Sequence, residues 1–352
     1  MNKYLQSINF LYIFTIIIAS CIILLYFLKG KKIFNFLKKS SFEDDDFTLK
    51  NEILYNTNID NYNTMEEYYQ KGIYKATYKI IVLGDVHGDW EATIKALKKG
   101  RVIDDTLNWC GGKAHVVQMG DILDRKIRGN CLKDEDSEFK IIDLFLKLMR
   151  QAYESGGGFH CIIGNHELMN VTGNFSYVSE MGIKHFENGE EGRKKYFERG
   201  GPMCQLFSKY WNPVIKIGKY LFCHGSVSVS IGTKYNIIQI NDLMRRMLMN
   251  ELNSGEERDV YNLFFDDNAI LWNREFSNGD FEKEKMKEML NCHKCEYMVV
   301  GHTPQIHGIN MKNGCIWFTD TGMSEAFGKR EDDSRIQVLE ILRNGKSFDV
   351  LI

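Results

Sequence analysis

Apolar residues in the C-terminal three-quarters of this chain fall into short runs, each closed by a small polar cluster that usually contains glycine. Ile80-Ile81-Val82-Leu83 runs into Gly84-Asp85-Val86-His87-Gly88-Asp89, and residues 115–119 run into Gly120-Asp121. Residues 159–163 run into Gly164-Asn165-His166-Glu167, residues 220–223 into His224-Gly225, and residues 297–300 into Gly301-His302-Thr303. Continuous apolar runs of this length predict strands buried on both faces of a sheet. Between them the period changes. Trp90, Ile94 and Leu97 mark a helix after Asp89, which is placed to cap it, and Lys98, Lys99 and Gly100 close it. Ile142, Leu146 and Met149 mark another helix over about 141–149. Strands alternating with helices predict an α/β domain. Ligands in such sheets sit at the carboxyl ends of strands, so the five polar clusters are expected to converge on one site.

The first thirty residues follow a different pattern. Residues 4–28 carry no charge, and residues 10–28 are nearly all apolar. At about 1.5 Å per residue the apolar run spans about 28 Å, close to a bilayer core. Ala19-Ser20-Cys21 could serve as a cleavage site, but it lies inside the run, so an uncleaved anchor is expected over a cleaved signal. Lys29, Lys31, Lys32, Lys38 and Lys39 follow the span against Lys3 before it, which places the remainder of the chain on the cytosolic side. The expected organisation is a flank at 1–9, a single-pass segment at 10–28, a tether at 29–75 and a domain at 76–352. The host membrane is expected to be the endoplasmic reticulum or another secretory-pathway membrane. Thr64 is placed to cap a short helix near the end of the tether.

At 352 residues the chain suits one large α/β domain plus a tail. Net charge is 45 minus 47, or −2, which gives no support to bulk binding of nucleic acid. Nine cysteines at irregular spacing argue against a disulfide framework. Cys292-His293-Lys294-Cys295 lacks a second pair at zinc-finger spacing and reads as a helix end leading into a strand.

The converging residues are carboxylates, imidazoles and one amide, a set suited to manganese, iron or zinc. Two such ions about 3.5–4 Å apart can activate a shared water and clamp phosphate oxygens, which phosphate-ester hydrolysis requires. The run of Gly-Asp-Val-His-Gly, Gly-Asp-Ile-Leu-Asp-Arg, Gly-Asn-His-Glu and a late Gly-His-Thr resembles the calcineurin-like metallophosphoesterases. The Asp124-Arg125 ending is similar to the phosphoprotein phosphatase branch. Gly-Asn-His-Glu-Leu-Met-Asn and Asp320-Thr321-Gly322-Met323-Ser324 are similar to the Shewanella-like protein phosphatases, apicomplexan members especially. The resemblance covers about residues 79–328.

It implies a β-sandwich flanked by helices in four αββα layers, and two metal ions, manganese first and iron or zinc as alternatives. By the same resemblance Asp85 and His87 bind the first ion, Asp121 bridges both, and Asn165, His224 and His302 complete the pair. His166, oriented by Asp124, protonates the leaving oxygen. Arg125 holds the phosphate, and Arg274 is a second phosphate arginine or else a structural ion-pair residue. His224-Gly225-Ser226 departs from the family's His-Gly-Gly, which puts that loop's geometry in question. The C-terminal loop motif of the Ser/Thr phosphatases is missing, with Asp320-Thr321-Gly322 in its place, which puts transfer of their substrate and toxin sensitivity in question.

The implied activity is hydrolysis of phosphomonoesters on Ser/Thr or Tyr of a phosphoprotein. The alternatives are a hydrolase similar to those acting on dinucleoside polyphosphates and an inactive membrane scaffold. No ligand and no general acid is missing from the pattern, which favours an enzyme. His115, His160, His185, His293 and His307 have no convergent context and read as surface or core residues. Residues 167–212 read as a helical insertion able to shape substrate access.

Overall fold

A computed structural model describes residues 64–130, 133–278 and 281–352. The expected flank and membrane segment, and the tether up to residue 63, lie outside the described residues. Among the described residues no helix is long and apolar enough to cross a membrane.

The strands in chain order are β1 (Ile73–Tyr74), β2 (Lys79–Leu83), β3 (His115–Gln118), β4 (Gly158–Cys161), β5 (Val214–Ile217) and β6 (Tyr220–Cys223). They continue with β7 (Tyr297–Val300), β8 (Asn310–Lys312), β9 (Ile316–Phe318), β10 (Val338–Leu342) and β11 (Ser347–Leu351). They form two sheets flanked by helices. One has the order β11-β10-β2-β3-β4 and the other β1-β5-β6-β7-β9-β8. Within the first sheet β2, β3 and β4 are parallel, and within the second β6, β7 and β9 are parallel. The five motif-bearing strands are thus divided, three in one sheet and two in the other. Both sets are buried on both faces, because parallel strands covered by helices meet no water on either side.

The helices form where the sequence supplies period and caps. Trp90–Lys99 begins at Asp89, whose carboxylate accepts the Ala92 N–H at 2.9 Å. Glu138–Glu154 extends beyond the expected 141–149 and packs on β4. The third motif opens the helix Asn165–Val171, and the insertion after it carries three more, Glu180–Lys184, Gly189–Phe197 and Pro202–Tyr210.

The folded unit starts earlier than residue 76. Thr64 Oγ1 accepts the Glu67 N–H at 3.1 Å and caps the helix Met65–Lys71, as its spacing predicts. That helix packs against Pro202–Tyr210 and buries Met65, Tyr68 and Tyr69. Tyr69 Oη donates to the Met149 carbonyl at 2.9 Å, and β1 pairs in parallel with β5. The expected tether therefore ends no later than Thr64. The aromatic side chains of that helix supply core.

Candidate metal centre

All five polar clusters lie at strand ends and meet across the two sheets. Close approach there needs glycine: a Cβ on Gly301, after β7, would strike Asp85 Oδ1 in the other sheet's loop, and a Cβ on Gly164 would strike Asp121 Oδ1. Four site residues adopt left-handed backbone that is costly for non-glycine residues: His87 (φ 38°), Asp121 (53°), Asp124 (73°) and His302 (66°). Strain of this kind, about 1–3 kcal/mol per residue, persists where the surroundings over-determine a functional geometry.

Asp121 is the centre of the arrangement. Its Oδ2 lies 3.2 Å from His224 Nε2, 3.7 Å from His87 Nε2 and 3.8 Å from His166 Nε2. Asn165 Oδ1 lies 2.9 Å from His224 Nε2. Two groups of potential ligand atoms share Asp121: His87, Asp121 and His166, and Asp121, His224 and His302, all atoms of each group within 4.8 Å of one another. One carboxylate common to two ligand groups is what a bridged pair of ions needs.

The imidazoles are pre-oriented by backbone carbonyls. His87 Nδ1 is 3.0 Å from Leu123 O, His224 Nδ1 is 2.8 Å from Met119 O, and His302 Nε2 is 3.1 Å from Trp272 O. A carbonyl oxygen only accepts, so each of these nitrogens carries the proton. In the neutral ring the other nitrogen then offers its lone pair, Nε2 for His87 and His224 and Nδ1 for His302.

The charge balance also fits cations. Asp85, Asp121, Glu167 and Asp320 are buried together. Asp85 Oδ2 accepts the His302 N–H at 3.0 Å, while Oδ1 is buried with no hydrogen-bond partner. Burial, then Asp320 and Asp121, push Asp85 well above the usual carboxylate range, and burial pushes Asp320 up to about 6. Burial opposes ionisation of Asp121 too, but His224 and His166 outweigh it and hold its pKa well below the ordinary value. Reciprocally, Asp121 raises His224 and His166 although burial pulls both down. Clustered buried carboxylates are costly unless a cation neutralises them. The donor set, the orphaned Asp85 oxygen and the shared Asp121 therefore fit a pair of divalent ions held by oxygen and nitrogen.

His166 and Asp124 meet as expected, Nδ1 to Oδ2 at 2.6 Å. Behind them lies a closed circuit that sequence reasoning missed. Asp124 Oδ1 accepts from Asn170 Nδ2 at 2.8 Å, and Asn170 Oδ1 accepts from Arg193 Nε at 2.7 Å. Arg193 Nη1 donates to Glu138 Oε2 at 2.8 Å, and Glu138 Oε1 accepts the Asp124 N–H at 2.6 Å. All four residues are buried. Glu167 was also missed as more than a motif letter. Its two oxygens accept the N–H groups of Gly164, Asp121, Ile122 and Leu123 at 2.8–3.2 Å. Burial and the charge of Asp121 push its pKa up to about 7, but four donors use four lone-pair sites, which only the carboxylate offers.

The arginines are placed unequally. Arg274 Nη1 donates to His302 O at 3.1 Å and to Thr303 Oγ1 at 2.9 Å, so it stands on the His302 flank. Arg125 is fully buried; its Nε lies 3.4 Å from Glu135 Oε1 and its Nη2 3.8 Å from Asp89 Oδ2, while Nη1 and Nη2 have no hydrogen-bond partner among the described residues. Ser226, in place of the family's glycine, has no left-handed φ and is accommodated with its N–H on Ile270 O at 3.1 Å.

Comparison with known proteins agrees with this geometry. The calcineurin-like phosphoesterase family pattern matches residues 78–305. Shewanella-like protein phosphatase 1 of Plasmodium berghei is 30% identical over 255 residues, covering 70% of this chain and 67% of that protein. Shewanella-like protein phosphatase 2 of Arabidopsis thaliana is 28% identical over 318 residues, covering 76% of this chain and 75% of that protein. The crystal structure of a cold-active protein-tyrosine phosphatase from a psychrophilic Shewanella shares the fold at a TM-score of 0.66 and 24% identity, covering 80% of this chain and 82% of that one. A family pattern that spans the motifs, and relatives aligned over most of both chains, show that this chain belongs to the calcineurin-like phosphoesterases, in their Shewanella-like protein phosphatase branch.

Proposed function

We propose that this protein is a two-metal phosphoprotein phosphatase that hydrolyses phosphomonoesters of Ser/Thr or Tyr. The observation that carries the reading is Asp121, one buried carboxylate common to two groups of potential ligands at converging strand ends. Asp85, His87 and Asp121 would hold one ion, and Asp121, Asn165, His224 and His302 the other. Manganese is the first choice, and iron or zinc suits the same donors. When bound, the ions supply a hydroxide-strength nucleophile at neutral pH and neutralise charge on the transferring group.

The chain's own residues do the rest. His166 fits the first group of ligand atoms geometrically, but its Nδ1 is committed to Asp124, and its Nε2 faces the centre as a proton donor for the leaving oxygen. Asp124 fixes ring and tautomer, and Arg274 faces phosphate oxygens from the His302 flank. The phosphoryl–oxygen bond of the ester breaks as water's oxygen joins phosphorus, and the His166 proton goes to the departing alkoxide or phenoxide.

Turnover of a phosphopeptide panel set against dinucleoside polyphosphates tests the reading. Release of phosphate from phosphopeptides is expected. Preferential cleavage of dinucleoside polyphosphates would move the assignment to the other hydrolase class. The uncharged stretch at 10–28 and the lysines after it support attachment to a membrane of the secretory pathway with the catalytic domain in the cytosol.

A further inference from the structure

The stretch Asp134-Glu135-Asp136-Ser137-Glu138 carries four acids, and each is tied to a different neighbour. Asp134 Oδ2 accepts the Met181 N–H at 2.9 Å, and Asp136 pairs with His185 Nδ1 at 2.9 Å. Glu138 Oε1 accepts the Asp124 N–H at 2.6 Å. Glu135 Oε1 accepts from Arg125 Nε at 3.4 Å, and its Oε2 accepts the Ser137 hydroxyl at 3.0 Å. Two acids of this strap therefore hold the Asp124-Arg125 pair, one at each residue. The other two fasten the strap to the helix Glu180–Lys184 and its C-terminal cap, His185.

The stem of the buried Arg125 lies against Gly88 in the His87 loop. Its Nη2 is 3.8 Å from Asp89 Oδ2, too far for a hydrogen bond, and that oxygen already accepts the Glu325 N–H at 2.8 Å and Arg330 Nη1 at 2.5 Å. Among the described residues Nη1 and Nη2 have no hydrogen-bond partner. Buried donors left unpaired are costly unless a ligand meets them. The guanidinium is thus held at Nε alone and keeps its terminal nitrogens, which match two oxygens of a phosphate.

We infer that Glu135 is a positioning residue for Arg125: its carboxylate holds Nε and so aims Nη1 and Nη2 at the phosphoryl oxygens. This rests on the phosphoesterase reading and on Arg125 as the phosphate arginine. A guanidinium fixed before substrate arrives loses little rotamer freedom on binding it. Glu135 is itself anchored, since its Oε1 also accepts the Trp90 N–H at 3.4 Å, at the start of the helix that follows the His87 loop.

The test compares Glu135→Ala, Glu135→Gln, Arg125→Met and the double variant Glu135→Ala/Arg125→Met in metal-loaded full-length protein. The readouts are metal content, calorimetric binding of inorganic phosphate, and KM and kcat on nitrophenyl phosphate. Glu135→Ala is expected to keep its metals and to weaken phosphate binding by about 3–30-fold, with KM rising in parallel. Glu135→Gln keeps an acceptor for Nε without the charge and is expected to fall between it and wild type, which keeps the test readable if the Ala variant misfolds. Coupling decides the role. With no guanidinium left to aim, adding Glu135→Ala to Arg125→Met should change phosphate affinity by less than about twofold. Should Arg125→Met misfold, Arg125→Gln takes its place in the cycle. An equal loss in both backgrounds would show that Glu135 only supports the loop, and it would overturn the assignment. Unchanged phosphate affinity in folded Glu135 variants would overturn it too, while leaving the phosphoesterase reading in place. Wild-type protein that neither hydrolyses the ester nor binds phosphate would overturn that reading and this assignment with it.

Discussion

His166 Nδ1 lies 2.6 Å from Asp124 Oδ2, and that bond fixes which nitrogen faces the metal centre. A carboxylate partner holds the proton on Nδ1 and stabilises the ring when charged, so Nε2 can carry and release the proton the leaving group needs.

His166→Asn is therefore expected to retain its metals and lose about 10²–10⁴-fold in kcat. The loss should shrink for esters with good leaving groups such as nitrophenol, which depart without a proton. Equal losses for good and poor leaving groups would show a structural or metal-holding role instead.

The circuit behind Asp124 gives a second prediction. Arg193 is buried and joins Glu138 to Asn170, so its removal strands a buried carboxylate. Arg193→Leu should cost about 3–5 kcal/mol of stability, read by denaturant unfolding. It should also lower kcat, because Asp124 loses the frame that holds it. A variant as stable and active as wild type would show that the circuit is dispensable.

His115 and His160, on the neighbouring strands β3 and β4, stack with Nδ1 and Nε2 2.9 Å apart, both buried. Burial pulls His115 from 6.5 down to about 4. The unfolded chain then binds a proton below 6.5 that the folded chain refuses until about 4, so stability is full above that window and falls as pH falls through it. His115→Gln should flatten the fall of the urea midpoint between pH 6.5 and 4 by about one proton's worth. An unchanged slope would contradict the account.

The apolar stretch at 10–28 should keep the protein in a membrane pellet that resists salt and carbonate and yields to detergent. In sealed microsomes, protease added outside should digest the catalytic domain, since the five lysines after the stretch oppose its translocation. Full protection, or a mature N-terminus after about Ser20, would reverse both anchor and orientation.

The motif-bearing strands and the ligand candidates were legible because each apolar run ends at its polar cluster, so sequence neighbours are also site neighbours. Which sheet each strand joins was not legible. Strands buried on both faces look alike, and β6 and β7 differ from β2 and β3 only by pairing. Glu167 was hidden for a different reason: three of its four donors, on Asp121, Ile122 and Leu123, come from a loop more than forty residues away. The direction of Arg125 depended on Asp89 and Glu135, whose closeness in space no local pattern reports. The early start of the domain was masked by composition, since Tyr68 and Tyr69 sit in a stretch rich in polar residues yet are buried.

The central claim is that Asp121 bridges two ions on which hydrolysis depends. Metal content measured alongside phosphopeptide turnover, for wild type and Asp121→Asn, tests it most directly. The account predicts about two ions per chain in active wild type, loss of turnover on chelation with recovery when metal returns, and an Asp121→Asn variant that has lost both the metal pair and turnover. Near-normal kcat in Asp121→Asn with two metals still bound, or full activity in metal-stripped wild type, would contradict it.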